Sequence, residues 1–138
     1  MGRRMRARRF PKVGIAVLLL CGGTPPAIAA DHVVEVGGNG NSMSPASTFV
    51  AIGDTVTFRN AGGEHNVASV AGAAFAFRCA EDCGANGAPS AAGWSSTITI
   101  PPEAAHRTIG FYCERHGFAM GGTLTTTNPV DLKSFSVD

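Results

Sequence analysis

Alternation of apolar and polar positions at a period of two runs through most of the chain after residue 30. Over 54–59 (DTVTFR), Val56 and Phe58 share one face, and Thr55, Thr57 and Arg59 the other. Over 94–100, Trp94, Ile98 and Ile100 fall together, and over 108–113 Ile109, Phe111 and Cys113 do the same. Segments 32–36, 48–52, 65–70, 74–78 and 122–127 carry weaker versions of the pattern. Such alternation, rich in Val and Thr and punctuated by Gly and Pro, predicts strands half-buried in an all-β domain. About eight short strands in roughly 95 residues predict a Greek-key β-sandwich. No long helical stripe is present. Residues 79–93 (CAEDCGANGAPSAAG) are small, polar and turn-rich, which predicts a surface loop. No repeat or separate linker interrupts the chain, and the stretch after residue 127 reads as a loose tail.

Composition sharpens this picture. Only 15% of the 138 residues are charged, and glycine numbers 18, which argues against a coiled coil, a charged disordered chain or a helical bundle. Six of the eleven basic residues lie within the first twelve positions, and every acidic residue lies from Asp31 onward. Residues 13–21 (VGIAVLLLC) are an apolar run of nine, followed by Gly22, Gly23, Pro25, Pro26 and then Ala27-Ile28-Ala29. A basic start, a short apolar run and a small-x-small site make residues 1–29 a secretory signal peptide, too short to span a bilayer as a helix. Residues 30–138 then form one domain, exported to the periplasm, with five basic and ten acidic residues and a net charge of −5. That balance disfavours nucleic acid as a partner.

The candidate chemistry lies in two places. Cys113, His116 and Met120 fall within eight residues at the end of a predicted strand, and His65 lies some fifty residues earlier. Cys113 ends an inward face, so its sulfur points into the protein. Gly117 and the Gly121-Gly122 pair are expected to let the chain turn tightly and return His116 and Met120 toward that sulfur. With His65 added, the set is two imidazoles, one thiolate and a weak thioether, the donors of a mononuclear copper site built for electron transfer.

The segments Gly63-Glu64-His65-Asn66-Val67 and Tyr112-Cys113-Glu114-Arg115-His116-Gly117-Phe118-Ala119-Met120-Gly121-Gly122-Thr123 resemble those of the cupredoxins, most of all the plastocyanin and pseudoazurin branch. The resemblance extends over residues 33–127. It implies an eight-stranded Greek-key sandwich holding one type 1 copper, with His65, Cys113 and His116 as strong ligands and Met120 as the axial one. It also implies that Asn66 ties the His65 strand to the Cys113 loop. Two departures stand out. Three residues separate His116 from Met120 where plastocyanins usually have four, and Arg115 precedes His116 where many members have proline.

The remaining residues are read more plainly. His32 and His106 have no suitable companions in the sequence for a ligand set and are taken as structural or exposed. Met43 is left unassigned in a polar turn. Cys79 and Cys83 are expected to form a disulfide that pins the long loop. The rival is a zinc site in which Cys79 and Cys83 join Cys113 and His116, and it would leave His65 and Met120 without roles. Phe118 is either buried or an apolar rim for a partner, and Arg115 is a candidate partner contact or a charge acting on the metal.

The function expected from these residues is a small electron carrier whose copper cycles between Cu(II) and Cu(I). Four protein ligands leave no open position, which argues against an enzyme. The family implies a redox protein as partner, such as a c-type cytochrome, a copper reductase or an oxidase, met transiently by a monomer. The alternative is a copper-binding module for storage, delivery or stress protection. A thiol enzyme using Cys113 and His116 is the third reading.

Overall fold

The computed structural model describes residues 28–91 and 93–127. The expected export signal, residues 1–29 apart from its last two, and the expected tail from residue 128 lie outside the described residues. The described strands are β1 (Asp31–Val36), β2 (Met43–Ser44), β3 (Ser47–Ala51), β4 (Thr55–Asn60), β5 (Val67–Ser69), β6 (Arg78–Cys79), β7 (Ser95–Thr99), β8 (Thr108–Cys113) and β9 (Gly117–Thr127). A 3₁₀ turn, Pro102–Ala104, precedes β8. One sheet has the order β2-β1-β4-β7 and the other β3-β9-β8-β5-β6. The pairs β1/β4 and β3/β9 are parallel and the rest antiparallel. Two mixed sheets packed face to face make the predicted all-β sandwich.

The alternation explains the packing. Val34 and Val36 from β1, Val56 and Phe58 from β4, Ile98 from β7, Ile109 and Phe111 from β8 and Leu124 from β9 are all buried. Their intervening neighbours face outward, as period-two strands over a common core require. Phe58 lies with its ring centroid 5.6 Å from Phe77 and 5.5 Å from Phe111, so one aromatic cluster joins the two sheets.

Three segments differ from their sequence reading. Over 74–78 only Arg78 is in a strand. Phe75 and Phe77 instead pack on the core from irregular chain, and Ser69 Oγ accepts the Phe77 amide at 3.0 Å. Over 65–70 the strand shortens to Val67–Ser69. Met43 is buried in β2 rather than sitting in a turn, because β2 pairs with the end of β1. The loop after β6 is also less superficial than its composition predicts. Cys79 and Ala80 are fully buried, and Ser96 Oγ donates to the Ala80 carbonyl at 2.5 Å.

At the start of β1, Asp54 collects three donors. Its carboxylate accepts the Ala30 amide at 2.9 Å, the Ala51 amide at 2.9 Å and His32 Nε2 at 2.8 Å. His32 therefore does have a companion, 22 residues away, that its local sequence does not announce. Burial pushes the Asp54 pKa up and is the largest single influence, but the bonds from Ala51, Ala30 and His32 together outweigh it and hold the group below the ordinary aspartate value. Asp54→Ala is expected to cost about 2 kcal/mol by urea denaturation, because it strands three donors. The native contribution should be complete above the unfolded aspartate pKa, about 3.9, and be lost as pH falls through the lower folded value. The variant should show no such acid-dependent loss from this site.

Candidate metal centre

His65 lies between β4 and β5, in an isolated bridge in which its amide and the Ser90 amide each donate to the other's carbonyl at 3.0 Å. The turn before it is organised by Asn60, whose Nδ2 donates to the Gly63 carbonyl at 2.9 Å. Gly37 follows β1 with φ +77°, and a Cβ there would meet the Gly62 carbonyl oxygen at 2.1 Å and His65 Cδ2 at 2.6 Å. Glycine is thus required twice over, for its conformation and to seat the Nε2 edge of the imidazole. Gly37→Ala is expected to destabilise the protein by at least about 1 kcal/mol in denaturant melts, and to shift the His65 ring resonances in NMR spectra. Burial first, and the neighbouring His116 second, hold the His65 imidazole below the ordinary histidine pKa. A neutral ring is the form that ligates metal.

Cys113 ends β8 on its inward face and is fully buried with a free thiol. The chain then reverses: the His116 amide donates to the Cys113 carbonyl at 3.2 Å, and Gly117 has φ +72°. This turn returns half-buried His116 toward the sulfur. The two Nδ1 atoms of His65 and His116 lie 3.1 Å apart. Cys113 Sγ is 3.5 Å from Nδ1 of His116 and 3.8 Å from Nδ1 of His65. Two imidazole nitrogens and a buried sulfur thus converge on one point.

Met120 is 1% exposed. Its position follows from an irregularity in the β8/β9 ladder, where Tyr112 pairs with Gly121 but Cys113 pairs with Gly117. Phe118, Ala119 and Met120 are the extra residues of this bulge, which sets Met120 opposite the Tyr112–Cys113 step. Gly121 and Gly122 do not make the turn expected of them; they lie inside β9. A Cβ at Gly121 would meet the Phe111 carbonyl oxygen at 2.5 Å, and one at Gly122 would meet the Phe111 ring at 2.6 Å. Their role is close approach of β9 to β8 beside the bulge.

Behind the ligand residues lies a polar network. Fully buried Asn66 accepts the Glu114 amide at 2.9 Å and donates Nδ2 to the Gly87 carbonyl at 2.9 Å and to the Glu114 carboxylate at 2.5 Å. Arg78 Nε donates to that same carboxylate at 2.8 Å. The loop after β6 therefore grips both halves of the site, through Gly87 on Asn66 and Ser90 on His65. Ser90 Oγ donates to Glu81 at 2.5 Å. Cys79 and Cys83 are joined as a disulfide within this loop, so neither sulfur is available to zinc. Arg78, Glu81, Glu114 and Ser90 were not singled out from the sequence. Their partners lie up to 48 residues away or in an irregular loop, and no local pattern marks them.

The outer edge of the site is mixed. Phe118 is 74% exposed and its ring lies 4.5 Å from that of Tyr112, so it is not buried. Arg115 pairs with Glu64 at 2.7 Å, joining the residues that precede His116 and His65.

The donors suit copper by their chemistry: imidazole serves Cu(II), and thiolate with thioether serves Cu(I). His65, Cys113, His116 and Met120 form the cluster typical of a type 1 copper site. On a two-sheet sandwich with this topology, they define a cupredoxin fold. Solved structures of that fold match the chain. Amicyanin from Paracoccus versutus is 23% identical, with 74% of this chain and 84% of that one covered and a TM-score of 0.54. A purple cupredoxin from Nitrosopumilus maritimus is 18% identical, covering 70% of this chain and all of that one at a TM-score of 0.52. Auracyanin from Roseiflexus castenholzii, in its dithionite-reduced form, is 17% identical, with 72% and 98% covered and a TM-score of 0.50. No protein-family model matches the chain. No curated protein matches it either.

Proposed function

We propose that this chain is an exported electron carrier with one type 1 copper, held by His65, Cys113 and His116 with Met120 as a weaker axial ligand. The observation that carries this reading is the meeting of two Nδ1 atoms and a buried free thiol within 3.8 Å of one another. Copper bound there supplies a one-electron couple between Cu(II) and Cu(I). The protein's part is to hold the donors still. His65 is fixed by its bridge to Ser90 and by the glycine cradle, and Cys113 by the β8 ladder and the Asn66 bond to Glu114. A site that barely moves between oxidation states exchanges electrons with little reorganisation. Half-buried His116 brings one ligand to the surface beside exposed Phe118, where a redox protein can dock transiently. Glu64 offsets the charge of Arg115, so this rim is less cationic than its sequence implies. Four protein donors leave no position for a substrate, which supports a carrier over an enzyme. Among the described residues no helix is long and apolar enough to cross a membrane.

The test is copper titration of the protein recovered from the periplasm. One equivalent should bind with intense thiolate-to-copper absorption and narrow copper hyperfine splitting, and self-exchange should be fast with the metal retained. Ready surrender of Cu(I) to a competing chelator would instead indicate copper delivery. An intact fold without the absorption band would overturn the copper reading.

A further inference from the structure

We propose a second metal site, at the opposite end of β1, that comes into being when the export signal is removed: the new α-amine of Ala30, the backbone nitrogens of Asp31 and His32, and His32 Nδ1 together bind Cu(II) or Ni(II) in a square plane. The inference rests on the export reading above, which places cleavage after Ala29. The exported chain would then begin Ala30-Asp31-His32. An amine at the first residue and an imidazole at the third close three fused chelate rings around one ion, through two amide nitrogens. Four nitrogens in a plane suit Cu(II) and Ni(II), and not tetrahedral zinc.

The structure prepares two of the four donors. His32 Nε2 lies 2.8 Å from Asp54 Oδ2. A carboxylate only accepts, so Nε2 is the nitrogen that donates to it, and Nδ1, the atom this chelate needs, is the nitrogen left free to face a metal. A ligating imidazole whose other nitrogen donates to a carboxylate is the usual arrangement around protein-bound metals. The Ala30 nitrogen lies 2.9 Å from Oδ1 of the same carboxylate, so the future α-amine and the imidazole are held on one anchor. Asp31 is exposed and His32 only partly buried, whereas Val34 and Val36 further along β1 are fully buried. Metal uptake therefore loosens the start of the strand, where the Thr55 amide donates to the Ala30 carbonyl at 2.9 Å and Asp31 and His32 pair with Thr55 and Val56, and leaves the core of the strand in place. It also releases the Asp31 carboxylate from the Thr55 and Thr57 hydroxyls, which it accepts at 2.7 and 3.0 Å. Binding displaces one proton from each amide and one from the α-ammonium, and all three go to water. Gly37, which cradles His65, lies five steps of extended chain beyond His32, so the two sites lie on the order of 17 Å apart.

The experiment uses the exported protein with its type 1 site already loaded with copper. Intact mass and N-terminal sequencing establish the first residue. Ni(II) is then titrated as the probe, because its square-planar complex is diamagnetic and does not overlap the intense thiolate band. The expected result is an Ala30 terminus and one equivalent of Ni(II) bound in diamagnetic form. His32→Ala should weaken that binding at least 100-fold. A form with one extra alanine ahead of Ala30, which keeps His32 and its bond to Asp54, should weaken it equally. A different terminus, no Ni(II) uptake, or uptake unchanged in either variant overturns the proposal. Loss of the thiolate band with Ni(II) uptake preserved would overturn the electron-carrier reading and leave this one standing.

Discussion

Cys113→Ser is expected to abolish the intense visible absorption of the copper-loaded protein and to lower copper affinity by more than about 100-fold, beyond what changing a supporting residue does. The argument starts from what Cys113 alone contributes. It is the free thiol among the described residues, fully buried, and placed 3.5 and 3.8 Å from the Nδ1 atoms of His116 and His65. A serine hydroxyl fits the same volume and keeps the end of β8 in place, so the fold should survive. It is a hard, weakly acidic donor, and it provides no sulfur orbital from which charge can move to copper. Titration with copper followed by visible and electron spin resonance spectra reads both effects. Retention of the band in the serine variant would move the copper elsewhere and refute the site.

The second large effect belongs to a residue that touches no metal. Asn66→Ala is expected to destabilise the protein by about 3 kcal/mol, since buried polar groups left without partners cost about 1–3 kcal/mol each. The Glu114 amide and the Gly87 carbonyl both lose their partner when the amide side chain goes. The Glu114 carboxylate keeps Arg78 but loses its shortest bond. Because these bonds hold the residue after Cys113 against the residue after His65, copper affinity should fall by about 10- to 100-fold as well. Equilibrium denaturation and competitive copper titration measure the two separately. A stability loss with unchanged affinity would make Asn66 purely a packing residue.

Comparison of these two residues shows what was legible beforehand. Cys113 lies at the end of a clean alternation, three residues from one histidine and seven from a methionine, so its direction and its companions are written locally. Asn66 was reached only through the family resemblance. Its two acceptors and one donor lie 21 and 48 residues away, in a loop and at a strand end, and which of them it meets depends on how the sheets cross. His32 makes the same point. Its sequence neighbours include no obvious partner across the strand, yet the β1/β4 register and the turn before β4 bring Asp54 to it.

The sequence by itself determined the faces of the strands, and with them the sandwich and its core. It also determined the identities of the four donors and the burial of Cys113. Those properties follow from spacing of two along a strand and from residue chemistry, both short-range. Only the tertiary structure decided the rest. The bulge that sets Met120 opposite the Tyr112–Cys113 step lies beside the close approach of Gly121 and Gly122 to Phe111, and both features belong to the β8/β9 pairing and not to either strand alone. The small, polar loop after β6 became a clamp on the candidate metal centre because its carbonyls at Gly87 and Ser90 meet the Asn66 side chain and the His65 amide. Hydrogen bonds between distant segments are set by register and crossing, and neither is expressed in local sequence.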